Sequence, residues 1–121
     1  TVPVRTQDGR AVCERCSIAD TAVARMRGLL GRSELAAGEG LWIRPTNAIH
    51  MFFMRFAIDA VYLDRNDTVV RVVPRLRPWR MSFCRGARSV IELAAGEAER
   101  WCLQPGDRVE VVRPDVSADA A

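Results

Sequence analysis

The sequence contains no lysine, so all 18 basic side chains are arginine. Schiff-base chemistry and the lysine of nucleotide-binding phosphate loops are thereby excluded, and no glycine-rich phosphate loop is present to need one. Histidine is almost as scarce. His50 stands alone, which rules out a His-x-x-x-His metal pair, and no Gly-x-Ser-x-Gly nucleophile elbow occurs. Long hydrophobic runs are missing too: the most apolar stretch, 49–63, is broken by His50, Arg55 and Asp59 and falls short of the roughly 18 residues that a membrane-spanning helix needs. No basic start leads into an apolar segment and a small-residue cleavage site, so the expectation is a soluble, cytoplasmic protein. The last absence is local. The stretch 68–91 holds Arg71, Arg75, Arg77, Arg80, Arg85 and Arg88 without a single acid, while outside it acids outnumber Arg by three, although the whole chain is net +3. Arginine in place of lysine fits a codon bias, but a codon bias does not segregate charge.

What is present suffices for one core. A chain of 121 residues with 49% hydrophobic residues has the size and composition of a single domain. Residues 2–5 and 11–17 read as a hairpin around Asp8-Gly9, whose glycine supplies the positive φ of a tight turn. Asp20 is the expected N-cap of a helix that places Ala22, Val23, Met26, Leu29 and Leu30 on one face and ends at Gly31. Residues 41–43 read as a short strand. Residues 58–63 and 68–73 form a second hairpin, apolar enough to be covered on both faces. Residues 75–86 read as a loop, 89–93 as a strand, 97–102 as a short helix and 109–112 as a last strand. The expectation is an α+β fold: a compact, mostly antiparallel, barrel-like sheet of about seven short strands with one main helix and one short helix. Residues 1–112 make the domain and 113–121 a frayed tail.

The runs Met26-Arg27-Gly28-Leu29-Leu30-Gly31-Arg32, Gly40-Leu41, Ile49-His50, Phe53-Met54-Arg55-Phe56-Ala57-Ile58-Asp59, Leu63-Asp64, Val90-Ile91-Glu92-Leu93-Ala94-Ala95-Gly96 and Pro105-Gly106-Asp107 occur in that order over residues 5–112. In this the chain resembles the family called domain of unknown function 192. The resemblance implies a small mixed, β-rich domain and brings no activity with it.

Cys13-x-x-Cys16, with Cys84 and Cys102 as further ligands, invites a zinc or redox reading. Strand geometry argues against it, since three residues at roughly 3.3 Å each set the two Cα atoms about 10 Å apart with side chains on opposite faces. No metal and no cofactor are expected. Cys84 has Arg80, Arg85 and Arg88 nearby in sequence and is a nucleophile candidate, against the plainer reading of an inert buried thiol. His50, beside Met51 and four before Met54, is a structural histidine, a ligand contact or base, or part of a copper(I) set. Asp59 and Glu92 lie among apolar strand neighbours, where a carboxylate must be paired or protonated. Arg27 and Arg55 are the candidate partners, and His50, Arg55, Asp59, Glu92 and Arg27 together are the pocket candidates. Arg75, Arg77, Trp79 and Arg80 are candidates for contact with a partner.

Three function classes follow. The first is a non-catalytic binding or accessory domain for a small anion or an acidic protein segment. The second is a small enzyme with His50 as base, Asp59 orienting it and Arg55 holding negative charge. The third is weak nucleic-acid binding through 71–88, with guanidinium groups on phosphates and Trp79 and Phe83 on bases.

Overall fold

Eleven short elements follow one another among the described residues: β1 (Val2–Thr6), β2 (Ala11–Ala19), α1 (Ala22–Arg27), β3 (Glu39–Ile43), β4 (Ala48–His50), β5 (Ile58–Leu63), β6 (Val69–Leu76), β7 (Met81–Phe83), β8 (Ser89–Ala94), α2 (Glu97–Arg100) and β9 (Val109–Val111). The computed structural model describes residues 1–112, without the side chains of Met26 and Arg27. The expected tail, 113–121, and the candidate Arg27 therefore lie outside the described residues. No described helix is long and apolar enough to cross a membrane.

Seven strands form one mixed sheet in the order β6-β5-β8-β3-β2-β1-β9, and β4 pairs with β7 in a separate two-stranded ribbon. Every pair in the large sheet is antiparallel except β2 with β3. β5 and β8 lie at interior positions and are buried along their whole length, as runs that are apolar apart from Asp59, Ser89 and Glu92 require. Alternation divides their side chains between two cores. Ile58, Ala60, Tyr62, Val90 and Ala94 pack with Leu29, Ile49 and Met54 on one face. Val61, Leu63, Ile91 and Leu93 pack with Val4, Cys13, Cys16 and Trp42 on the other. The ribbon is tied to the first face by the buried Tyr62 hydroxyl, which donates to Ser82 Oγ at 2.8 Å.

The expected barrel is not formed. Val69 and Val109, from the two edge strands, share a core cluster, but the edges pair only at the isolated bridge Thr68–Arg108 among the described residues. β9 spans three residues, and Pro74 removes a donor from β6, which carries a bulge where Ile58 pairs with Leu76 and Ala60 with Val73. A strand so interrupted cannot zip onto a second edge. β6 is accordingly an exposed edge and not covered on both faces as expected. The main helix is also shorter than expected. Thr21, not Asp20, caps it, its Oγ1 accepting from Ala24 N, and Gly28 with φ 49° ends it before Gly31. Val23 is consequently exposed, while Leu29 reaches the core beyond the helix end. The expected loop 75–86 contains the end of β6 and all of β7. Three-residue strands carry too few positions for a period to be read.

Candidate functional site

A cavity of about 300 Å³ opens between α1, the end of β3 and β4. Leu29, Ile43, Ile49 and Met54 give it apolar walls, and Arg25, Thr46, His50 and Glu92 supply its polar groups. Glu92 comes from β8, where it pairs with Leu41 on one side and Ala60 on the other, both apolar and buried. Alternation forces it onto this face. It is 6% exposed, and burial pushes its carboxyl up to about 7, a shift that no hydrogen bond from the described residues offsets. Arg25 is held at the rim: its Nη1 donates to the carbonyls of Asp20 at 3.2 Å and Arg44 at 3.4 Å. The exposed His50 stands at the mouth, where Nδ1 accepts from the Phe52 N–H at 3.3 Å and the ring lies 5.0 Å from that of Phe52.

His50 and Glu92 are thus brought together, while Asp59 is not. Asp59 pairs with Leu93 and faces the opposite core, so β5 itself separates it from the cavity. Neither Arg27 nor Arg55 is needed to explain its burial. Its Oδ1 accepts from Arg75 N at 2.9 Å, and its Oδ2 accepts from Gly96 N at 3.0 Å and Ala98 N at 2.9 Å. The carboxylate captures the N–H freed by the β6 bulge and caps α2, whose own N-cap, Gly96, has no side chain to do so. Arg55 is exposed and does not line the cavity. The constellation of His50, Asp59 and Arg55 is therefore not assembled. Arg25 and Thr46, which line the cavity, were not among the pocket candidates expected from the sequence.

Among the partner candidates, Arg75 makes an exposed ion pair with Glu99 at 3.6 Å. Arg77 and Arg80 are exposed and form no ion pair among the described residues. Trp79 is exposed, and its ring centroid lies 4.8 Å from that of Phe53.

The cysteines correct a geometric expectation. Val2 pairs with Cys16 and Val4 with Cys13, so the three residues 2–4 of β1 face the four residues 13–16 of β2. This bulge returns Cys13 and Cys16 to the same face, where both are buried in one core cluster. β3 lies tightly against them: a Cβ at Gly40 would stand 2.8 Å from Cys13 Sγ. The Cys16 neighbour and, after it, burial push the Cys13 thiol up, away from thiolate. Cys84 is buried in the other core and Cys102 is exposed. Among the described residues no group of three His, Cys, Asp or Glu side chains is placed to hold a metal ion. Chelator and reductant are accordingly expected to shift the unfolding free energy by roughly 0.5 kcal/mol or less. A loss of several kcal/mol in urea titrations with either reagent would assign these thiols a stabilising role.

Comparison with known proteins gives a consistent picture. Residues 3–111 match the family DUF192, described as Uncharacterized ACR. A UPF0127 protein of Thermococcus sibiricus is 33% identical over 108 residues, covering 84% of this chain and 69% of the relative. A UPF0127 protein of Pyrococcus abyssi is 36% identical over 103 residues, covering 79% and 85%. The crystal structure of a protein of unknown function from Novosphingobium aromaticivorans superposes with a TM-score of 0.79 at 26% identity, covering 89% of this chain and 83% of that one.

Proposed function

This chain belongs to the DUF192 family, and we propose that it is a non-catalytic binding domain that seats a small organic anion in the cavity between α1 and β4. One observation carries the reading: a buried carboxyl, Glu92, opens into an apolar-walled space that has a guanidinium, Arg25, at its rim. A carboxyl kept neutral by burial is a hydrogen-bond donor, and a donor beside a cation suits a carboxylate or phosphate group. The walls take the ligand's apolar body. The volume of about 300 Å³ lies at the small end of ligand pockets and limits that body to a few carbons or one ring. The enzyme reading loses its support with Asp59 on the other side of the sheet.

Benzoate, hexanoate and inorganic phosphate are suitable probes, with the Met54 methyl resonance as the readout. At least one organic anion is expected to shift that resonance, with affinity falling about tenfold per pH unit above the carboxyl's pKa of about 7, because the ionised carboxylate repels the ligand. Glu92→Gln, which keeps a neutral donor, is expected to bind without this slope. Among the described residues, Arg25 and His50 are the other ionisable groups lining the cavity. A guanidinium does not titrate in this range, and His50→Gln controls for the imidazole. An unmoved Met54 signal with all three anions, or an affinity that rises with pH, overturns the reading.

A further inference from the structure

The β4–β7 ribbon turns one face outward that nothing in the described chain covers. Ala48 pairs with Phe83 and His50 with Met81, and all four are exposed, while Ile49 and Ser82 point inward. Two loop tips extend this face. Phe53, after β4, and Trp79, before β7, are 71% and 59% exposed, and Met81 and Phe83 are 70% and 57% exposed. Side chains of this size are seldom left in water side by side on a small domain.

The patch is held in place. Met51 N donates to the Arg80 carbonyl and Trp79 N to the Met51 carbonyl, each at 2.7 Å, which staples the two loops together. Phe53 and Trp79 both adopt left-handed backbone, with φ of 65° and 69°. Bulky residues rarely take this conformation, and strain of this kind gathers where a chain must present particular side chains. Within two residues of these side chains along the chain stand Arg55, Arg77, Arg80 and Arg85, all exposed and none in an ion pair among the described residues.

We infer that this aromatic face with its arginine rim is the docking surface for an acidic segment of another protein, whose carboxylates meet the rim and whose apolar side chains cover Phe53, Trp79, Met81 and Phe83. Charge complementarity selects the occupant, since the surrounding stretch 68–91 contains no acid. Aromatic residues, Met and Arg are the types enriched in protein interfaces. A second copy docking face to face would set like charges against each other. Bases need open ring faces to stack on, whereas Phe53 and Trp79 pack against each other at 4.8 Å with their planes tilted by 59°. An acyl layer suits a face with His50 and Ala48 at its centre less well than a mixed polar and apolar segment does.

The test titrates the intact chain with a short peptide of alternating Glu and Leu, followed by the Trp79 indole and the β7 amide resonances. Parallel titrations use the same peptide with Lys for Glu, a thymidine oligonucleotide and phosphatidylglycerol vesicles, with sedimentation to follow self-association. The acidic peptide is expected to shift the Trp79 and β7 signals, and its affinity to fall about tenfold or more between about 50 and 300 mM salt. The triple variant Arg55→Ala, Arg77→Ala, Arg80→Ala is expected to lose that salt dependence. Phe53→Ser with Trp79→Ser is expected to lose binding while the remaining amide spectrum stays folded. Failure of the acidic peptide to bind, equal binding of the Lys peptide, preference for oligonucleotide or vesicles, or shifts that track dimerisation each overturn the inference. The readout at Trp79 is separate from that at Met54, so this surface and the anion cavity fail independently.

Discussion

Asp59→Ala is expected to destabilise the domain by on the order of 3 kcal/mol, measured by urea unfolding near neutral pH. The wild-type carboxylate accepts three backbone N–H groups, from Arg75, Gly96 and Ala98. Alanine removes the acceptor of all three donors, one buried and two part-buried, at about 1 kcal/mol each. Two of them are first-turn donors of α2, and loss of a helix cap alone costs about 1 kcal/mol. The third belongs to the β6 bulge, where Arg75 sits at φ 48° and depends on this bond to hold its place. Asp59→Asn is expected to recover only part of the loss, because an amide group would point its own donor at a backbone N–H. Hydrogen exchange at Gly96 and Ala98 should accelerate in both variants. A change of about 0.5 kcal/mol or less in Asp59→Ala would show that α2 and the bulge hold without this latch.

The same residue marks how far the sequence could be read. An aspartate between Ile58 and Ala60 announces a buried carboxylate, and it is fully buried. A cationic side chain was the partner to expect. The true partners are backbone groups 16, 37 and 39 residues away, exposed by a bulge and a helix start that no local pattern encodes. The cysteines fail for the same reason: the bulge that brings Cys13 and Cys16 to one face depends on how β1 pairs with β2. The hairpins and the strands β3, β5 and β8 were legible because their β-branched, apolar runs are bounded by turn residues. β4 and β7 were not, and with them went the ribbon that places His50 at the cavity mouth and Phe83 on the open face. Of the cavity, Glu92 and His50 stood out by residue type. Arg25 and Thr46 did not, since an arginine on a helix and a threonine in a turn are ordinary until the fold brings them together.

Glu92→Gln is expected to change the pH dependence of stability by a similar amount. Burial pushes the folded carboxyl up to about 7 from an ordinary value of 4.5, so the folded state holds this proton more tightly than the unfolded chain does. The associated stability is fully present below pH 4.5, declines as pH rises through the window from 4.5 to about 7, and is absent above it. The difference corresponds to on the order of 3 kcal/mol. Glutamine fills nearly the same space and remains neutral, so the variant lacks this decline and is expected to overtake the wild type in mildly alkaline solution. Asp8 and Glu39 are pulled the other way, Asp8 by its hydrogen bonds from Thr6 and Arg10 and Glu39 by those from Arg32 and Ala36, and they lose stability only in acid. They contribute equally to both proteins and cancel in the comparison. Parallel stability profiles for wild type and Glu92→Gln between pH 4.5 and 8 would mean that the carboxylate is compensated in place, and the proton that makes the cavity a donor for an anion would not be there. A decline confined to the wild type, and moved to higher pH by saturating benzoate or hexanoate, would tie that proton to the ligand, because an anion that requires the neutral carboxyl must raise its pKa further.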